Sequence, residues 1–107
     1  MIDRFAFVRL NPTHATKVGR ADALARVRIA LADLPGLIRL SLGTPSDDSD
    51  SKWDLSIVAR FADLAALTQA IATVGWAAIF DHMLPARAVV IKAWTFDVDD
   101  ATPSPLR

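Results

Sequence analysis

Two side chains of this sequence carry the chemistry most worth weighing, Arg4 and His82. Arg4 shares alternate positions with Ile2, Ala6, Val8 and Leu10, so a strand would point it the same way as four apolar groups. A guanidinium on such a layer must find a carboxylate, carbonyl oxygens or a ligand anion, because burying it alone is very costly. Two partners stay open: the carboxylate or enolate of a small ligand, or an acid of the chain such as Asp81. His82 stands in the run Asp81-His82-Met83-Leu84-Pro85. Imidazole is the side chain suited to proton exchange near neutral pH, and it serves as readily to hydrogen-bond a carbonyl near a helix end. No nucleophile or second acid accompanies it. His14, beside Pro12 and Thr13, reads as a surface residue.

Composition removes several classes of function. Twelve basic and twelve acidic side chains cancel, so no global field draws in nucleic acid or an anionic membrane. With no cysteine there is no disulfide framework, thiolate nucleophile or cysteine-based zinc site, and two histidines do not build a transition-metal site on their own. Asp47, Asp48 and Asp50 share a Ser- and Asp-rich loop, yet the spacing lacks the glycine and distal glutamate of a calcium loop, so a solvated tip is expected. No glycine-rich phosphate loop, serine elbow or basic aromatic stripe is present. The uncharged stretch from Leu64 to Phe80 is broken by Thr68, Gln69, Thr73 and Gly75 and reads as helices, not a membrane span. Neither metal nor cofactor is expected, and a soluble cytoplasmic protein is the default.

The elements that must position these residues follow from periodicity. The clearest stretch is Lys52 to Leu67: Trp53, Leu55, Ile57, Ala59 and Phe61 alternate with polar and smaller groups, then Asp63 offers an N-cap. Leu64, Leu67, Ile71 and Val74 continue at helical spacing. Upstream, Ile2 to Leu10 reads as a strand ended by Asn11-Pro12. A helix follows, capped by Thr13 or Thr16, with Val18, Ala21, Leu24, Val27, Leu31 and Leu34 as its apolar stripe and a stop at Pro35-Gly36. Leu37 to Leu42 is a second strand, Trp76 to Met83 a short helix closed by Pro85, and Ala88 to Phe96 a last strand. The order β-α-β-β-α-(α)-β is the split βαβ pattern: an α+β, ferredoxin-like antiparallel sheet with helices on one face, one domain over residues 1–98 and a tail over 99–107.

The two faces of that sheet are unequal. The more apolar layer, assigned to the helices, holds Trp53, Leu55, Ile57, Ala59, Phe61, Val89, Ile91 and Ala93 with the first-strand residues above. The other carries Phe5, Phe7, Val58, Val90, Trp94 and Phe96 among Arg9, Arg39, Asp54, Arg60 and Lys92. So many large apolar groups mark an interface, and the helices are already used on the other side. A second copy stacked face to face, with Phe5, Phe7, Val58, Val90 and Trp94 at the contact, is the economical solution.

Met1 to Leu10, the Leu34-Pro35-Gly36 turn, Trp53-Asp54-Leu55 through Phe61, Asp63-Leu64-Ala65-Ala66-Leu67 and Asp81-His82-Met83-Leu84-Pro85 together resemble the stress-responsive A/B barrel (Dabb) domain. The resemblance covers about residues 1–98 and implies a dimeric α/β barrel with a ligand pocket between sheet and helices. Here that pocket would be lined by Arg4, Ala6, Val8, Leu24, Val27, Trp53, Ile57, Trp76, Ile79 and Phe80, unless these simply form the core. Relatives include polyketide cyclases, small-ring isomerases and monooxygenases. Arg4 stands where many members carry histidine, Gly75-Trp76 stands where cyclase-like members carry another, and the chain has no tyrosine, so the cyclase chemistry does not carry over. Three readings follow: a homodimeric domain binding a small, partly apolar molecule; a cofactor-independent isomerase, cyclase or oxygenase using Arg4 and His82 as catalytic residues; or a stress-linked interaction domain whose partner is its own second copy.

Overall fold

The structure, a computed structural model, describes residues 1–47 and 52–99. Four strands, β1 (Ile2–Leu10), β2 (Arg39–Gly43), β3 (Leu55–Phe61) and β4 (Ala88–Asp97), form one antiparallel sheet in the order β2-β3-β1-β4. The helices are α1 (Lys17–Leu31), α2 (Leu64–Ile71), α3 (Val74–Ala77) and α4 (Leu84–Arg87), the last two joined by a π-helical turn over Ala78–Met83. This is the expected ferredoxin-like fold. Of the expected acidic tip, Asp48 and Asp50 lie outside the described residues, as does the tail beyond Asp99.

The core lies between sheet and helices. Ile2, Ala6, Val8 and Leu10 of β1 meet Leu55, Ile57, Ala59 and Phe61 of β3, and Val27, Leu31, Leu67, Trp76 and Ile79 close over them. Strict alternation in β3 drives this: every second side chain is buried while those between stay half-exposed. Of the two threonines offered for α1 it is Thr16 that caps, and Asp63 caps α2 as expected. Thr16 Oγ1 accepts from the Gly19 N–H at 3.0 Å, and Asp63 Oδ1 from the Ala66 N–H at 2.9 Å.

Several faces depart from the periodic reading, each for a local reason. In α1 the inward residues are Ala23, Val27 and Leu31, whereas Val18 and Ala21 are exposed. The helix is turned so that Arg20 reaches the buried Asp54, with Nε 2.9 Å and Nη2 2.8 Å from Oδ1. In α2 the buried pair is Leu67 and Ala70, leaving Leu64 and Ile71 at the surface with Val74 beyond them. In β4 a bulge opposite Arg9 and Leu10 puts Ala88 across from Leu10 and leaves Val89 exposed, not in the core layer. Pro85 does not end the helical run. It sits where the π-helical turn passes into α4, a break in the hydrogen-bond ladder that accommodates a residue without an N–H.

Trp53 is the largest correction. Alternation from Leu55 would place it under the helices, but Asp54 and Leu55 are both buried, so the alternation breaks between them. The Asp54 N–H donates to the Val8 carbonyl at 2.8 Å while its Oδ2 accepts from the Leu10 N–H at 2.7 Å. Trp53 is thereby carried to the other face, its ring 5.9 Å from that of Phe7.

Candidate functional site

Register fixes the surroundings of Arg4. On β1 it pairs with Ala59 of β3 and Thr95 of β4, on the helix-facing side, with Ile2 and Ala6 as its neighbours along the strand. Ile2, Ala6 and Ala59 are buried and Arg4 is partly buried. The two alanines leave room for a long side chain to lie across the sheet toward its edge. There Arg4 Nη1 donates to Thr95 Oγ1 at 3.0 Å. Thr95 was not singled out by the sequence; its position opposite Arg4 follows from strand register, which no single strand reveals. Asp81 does not pair with Arg4. Among the described residues no carboxylate forms an ion pair with this guanidinium. It presents a positive charge and unused N–H donors at an otherwise apolar spot.

The other expected site residues separate into groups. Ala6, Val8, Val27, Ile57, Trp76 and Ile79 are core, and Leu24 and Phe80 pack against it. Trp76 and Phe80, one turn apart, stack with ring centroids 4.3 Å apart. These side chains fill the space between sheet and helices with one another. His82 and Asp81 are exposed on the π-helical turn, and no described contact ties either to Arg4. Arg4 and His82 are therefore not brought together as an acid–base pair. His14 is partly buried, its Nδ1 3.0 Å from Asn11 Oδ1.

The opposite face of the sheet is open. Phe5, Phe7, Val58, Val90 and Trp94 all lie on it, joined by Phe96 and Trp53. Phe5 meets Phe96 edge-on at 5.6 Å and Phe7 meets Trp94 at 5.8 Å, so the aromatic side chains form a connected layer. Trp94 and Phe96 remain 43% and 55% exposed. At one end Asp3 and Arg60 pair through two parallel bonds, Nε to Oδ1 at 2.8 Å and Nη2 to Oδ2 at 3.0 Å. The hydrogen-bonded Arg60 guanidinium holds the Asp3 carboxyl below the usual carboxylate range against the opposing pull of burial; the charges of Arg60, Arg39 and the N-terminus add to the lowering. On α1, Asp22 accepts from Arg87 and Arg26 and is lowered likewise.

A four-stranded antiparallel sheet in this order, with helices on one side, defines a ferredoxin-like fold. The chain superposes on a dimeric ferredoxin-like protein of unknown function from Thermobifida fusca with TM-score 0.77 at 18% identity, covering 91% of this chain and 90% of that one. A Dabb family protein with a ferredoxin-like fold from Mesorhizobium loti gives 0.74 at 13% identity, covering 91% and 95%. SnoaB, a cofactor-independent oxygenase from Streptomyces nogalater, gives 0.72 at 17% identity, covering 96% and 97%. No family model and no curated protein sequence matches the chain. The fold expected of a Dabb-type domain is the fold of this chain.

Proposed function

We propose that this chain is a homodimeric binding domain for a small, partly apolar molecule carrying a carboxylate or enolate oxygen. Arg4 carries the reading: it is partly buried on an apolar layer, bonded to a neutral hydroxyl, and has no carboxylate partner among the described residues. A charge so placed is worth more to an anionic ligand than one in water, because the surroundings screen it less. Two open faces stacked on each other would cover the aromatic layer of Phe5, Phe7, Trp94 and Phe96, as the dimeric character of proteins sharing this fold suggests.

Native mass spectrometry of freshly purified protein, compared with the denatured sample, tests both parts. A dimer carrying extra mass released on denaturation supports the reading, and Arg4→Met should lose that mass while remaining a dimer. A monomer removes the stacked-face assembly; a dimer in which Arg4→Met keeps the same adduct removes Arg4 as the anchor.

A second reading, catalysis by a cofactor-independent oxygenase, is favoured by the likeness to SnoaB in fold. In that case His82 would have to approach Arg4 once a ligand binds. Loss of turnover in both Arg4→Ala and His82→Ala, with the dimer intact, separates it from binding alone.

A further inference from the structure

A cleft of about 460 Å³ runs along the outer side of α1; Arg4 is not in its lining, and Thr44 and Pro45 divide it from a smaller hollow beside Phe7 and Trp53. One wall is a stripe of α1: Lys17, Arg20, Leu24 and Arg28 follow one another at helical spacing. The other wall is the segment after β2, including Pro45 and Asp47. Arg20 is held in place by the buried Asp54, so its charge is met within the fold. Lys17 and Arg28 differ. Both are exposed, and neither has an ion-pair or hydrogen-bond partner among the described residues. Between them lie Leu24, which is only partly buried, and the ring of Pro45. The lining thus pairs two unengaged cations with an apolar strip, and among the described residues Asp47 is its one acid.

We infer that this cleft is a second ligand site, selective for a small amphipathic carboxylate. The carboxylate is met by Lys17 or Arg28, and the apolar body lies along Leu24 and Pro45. A neutral molecule of the same shape gains the apolar contact without the charge, and an inorganic anion gains the charge without the contact. Selectivity comes from needing both.

The test is backbone-amide NMR titration of the intact protein with octanoate, 1-octanol and inorganic phosphate. The inference expects saturable shifts from octanoate at Ala21, Leu24, Thr44 and Ser46, with octanol and phosphate each binding at least about tenfold more weakly. The surface double variant Lys17→Gln/Arg28→Gln should weaken octanoate by about tenfold with its spectrum otherwise preserved. Arg26→Gln, a cation of α1 engaged by Asp22, should leave it unchanged. No saturable shift, equal affinity in the double variant, or shifts centred on Arg4 and Thr95 instead would overturn the inference. The last of these would favour the Arg4 site and not this one.

Discussion

At the scale of single residues, the two acids with the firmest partners are Asp3 and Asp54, and neither was a candidate for chemistry. Asp54 satisfies the Leu10 amide and orients Arg20, which in turn sets the rotation of α1. Asp3 locks Arg60 across the sheet. Asp3→Ala removes both parallel bonds to Arg60 and should cost about 1–2 kcal/mol in urea unfolding at neutral pH. The same pair gives a pH dependence with a definite sign. Because the folded pKa of Asp3 lies below the ordinary carboxylate value, its contribution is complete above that ordinary value and is lost as pH falls through the folded pKa. Stability measured from pH 6 downward should fall less steeply in Asp3→Asn than in the parent. An equal slope would assign the acid sensitivity elsewhere, for instance to Asp22 between Arg26 and Arg87. Arg4 has the opposite character: with only Thr95 as partner, Arg4→Met should preserve folding to within about 1 kcal/mol, read by the same unfolding curves.

At the scale of elements, glycine shows how context overrides propensity. Gly19 looks like a weak point in the first turn of α1, where alanine would normally gain about 1 kcal/mol. In the fold, a Cβ at this position would lie 2.1 Å from the His14 carbonyl oxygen, a backbone atom that cannot swing aside. Gly19→Ala should therefore destabilise, by about 1–3 kcal/mol, in thermal or urea unfolding. Stabilisation would mean that the 11–16 turn yields easily. Gly75 makes a similar approach, its notional Cβ 2.7 Å from the Ala30 carbonyl oxygen, so α1 and α3 pack through bare backbone. Caps behave more simply. Asp63→Ala should cost about 1 kcal/mol, since only one amide of α2 loses its acceptor.

At the scale of the whole molecule, the open face dominates. Its aromatic layer supplies area for a second copy, yet Arg9, Arg39 and Lys92 share that face with the Asp3–Arg60 pair. A symmetric dimer doubles that surplus of positive charge, so its dissociation constant should fall as ionic strength rises and screens the repulsion. Sedimentation at low and moderate salt measures this, and a dimer that weakens with salt would instead point to acids of one copy meeting these cations on the other. Trp94→Asp, which puts a charge in the middle of the layer, should give a monomer with an unchanged circular dichroism spectrum. Among the described residues no single helix is long and apolar enough to cross a membrane.

The sequence by itself determined the order of elements, the one-sided placement of the helices, the Asp63 cap and the shared face of Phe5, Phe7, Val58, Val90 and Trp94. Each of these depends on periodicity or on chemistry within a few residues, which a linear pattern records. Phe5, Phe7, Val58, Val90 and Trp94 fall together because strict alternation holds through the strands that carry them. Tertiary structure decided what depends on where those patterns break or on partners far along the chain. The bulge at Val89 and the inward turn of Asp54 each shift the phase of a strand, which moves Trp53 to the open face and Val89 to the surface. Arg20 meets Asp54 across 34 positions and Arg4 meets Thr95 across 91, so their neighbours were set by sheet register and helix rotation and not by spacing. The space expected between sheet and helices is likewise a matter of volume: only packing shows that Val8, Ile57, Trp76 and Ile79 fill it themselves.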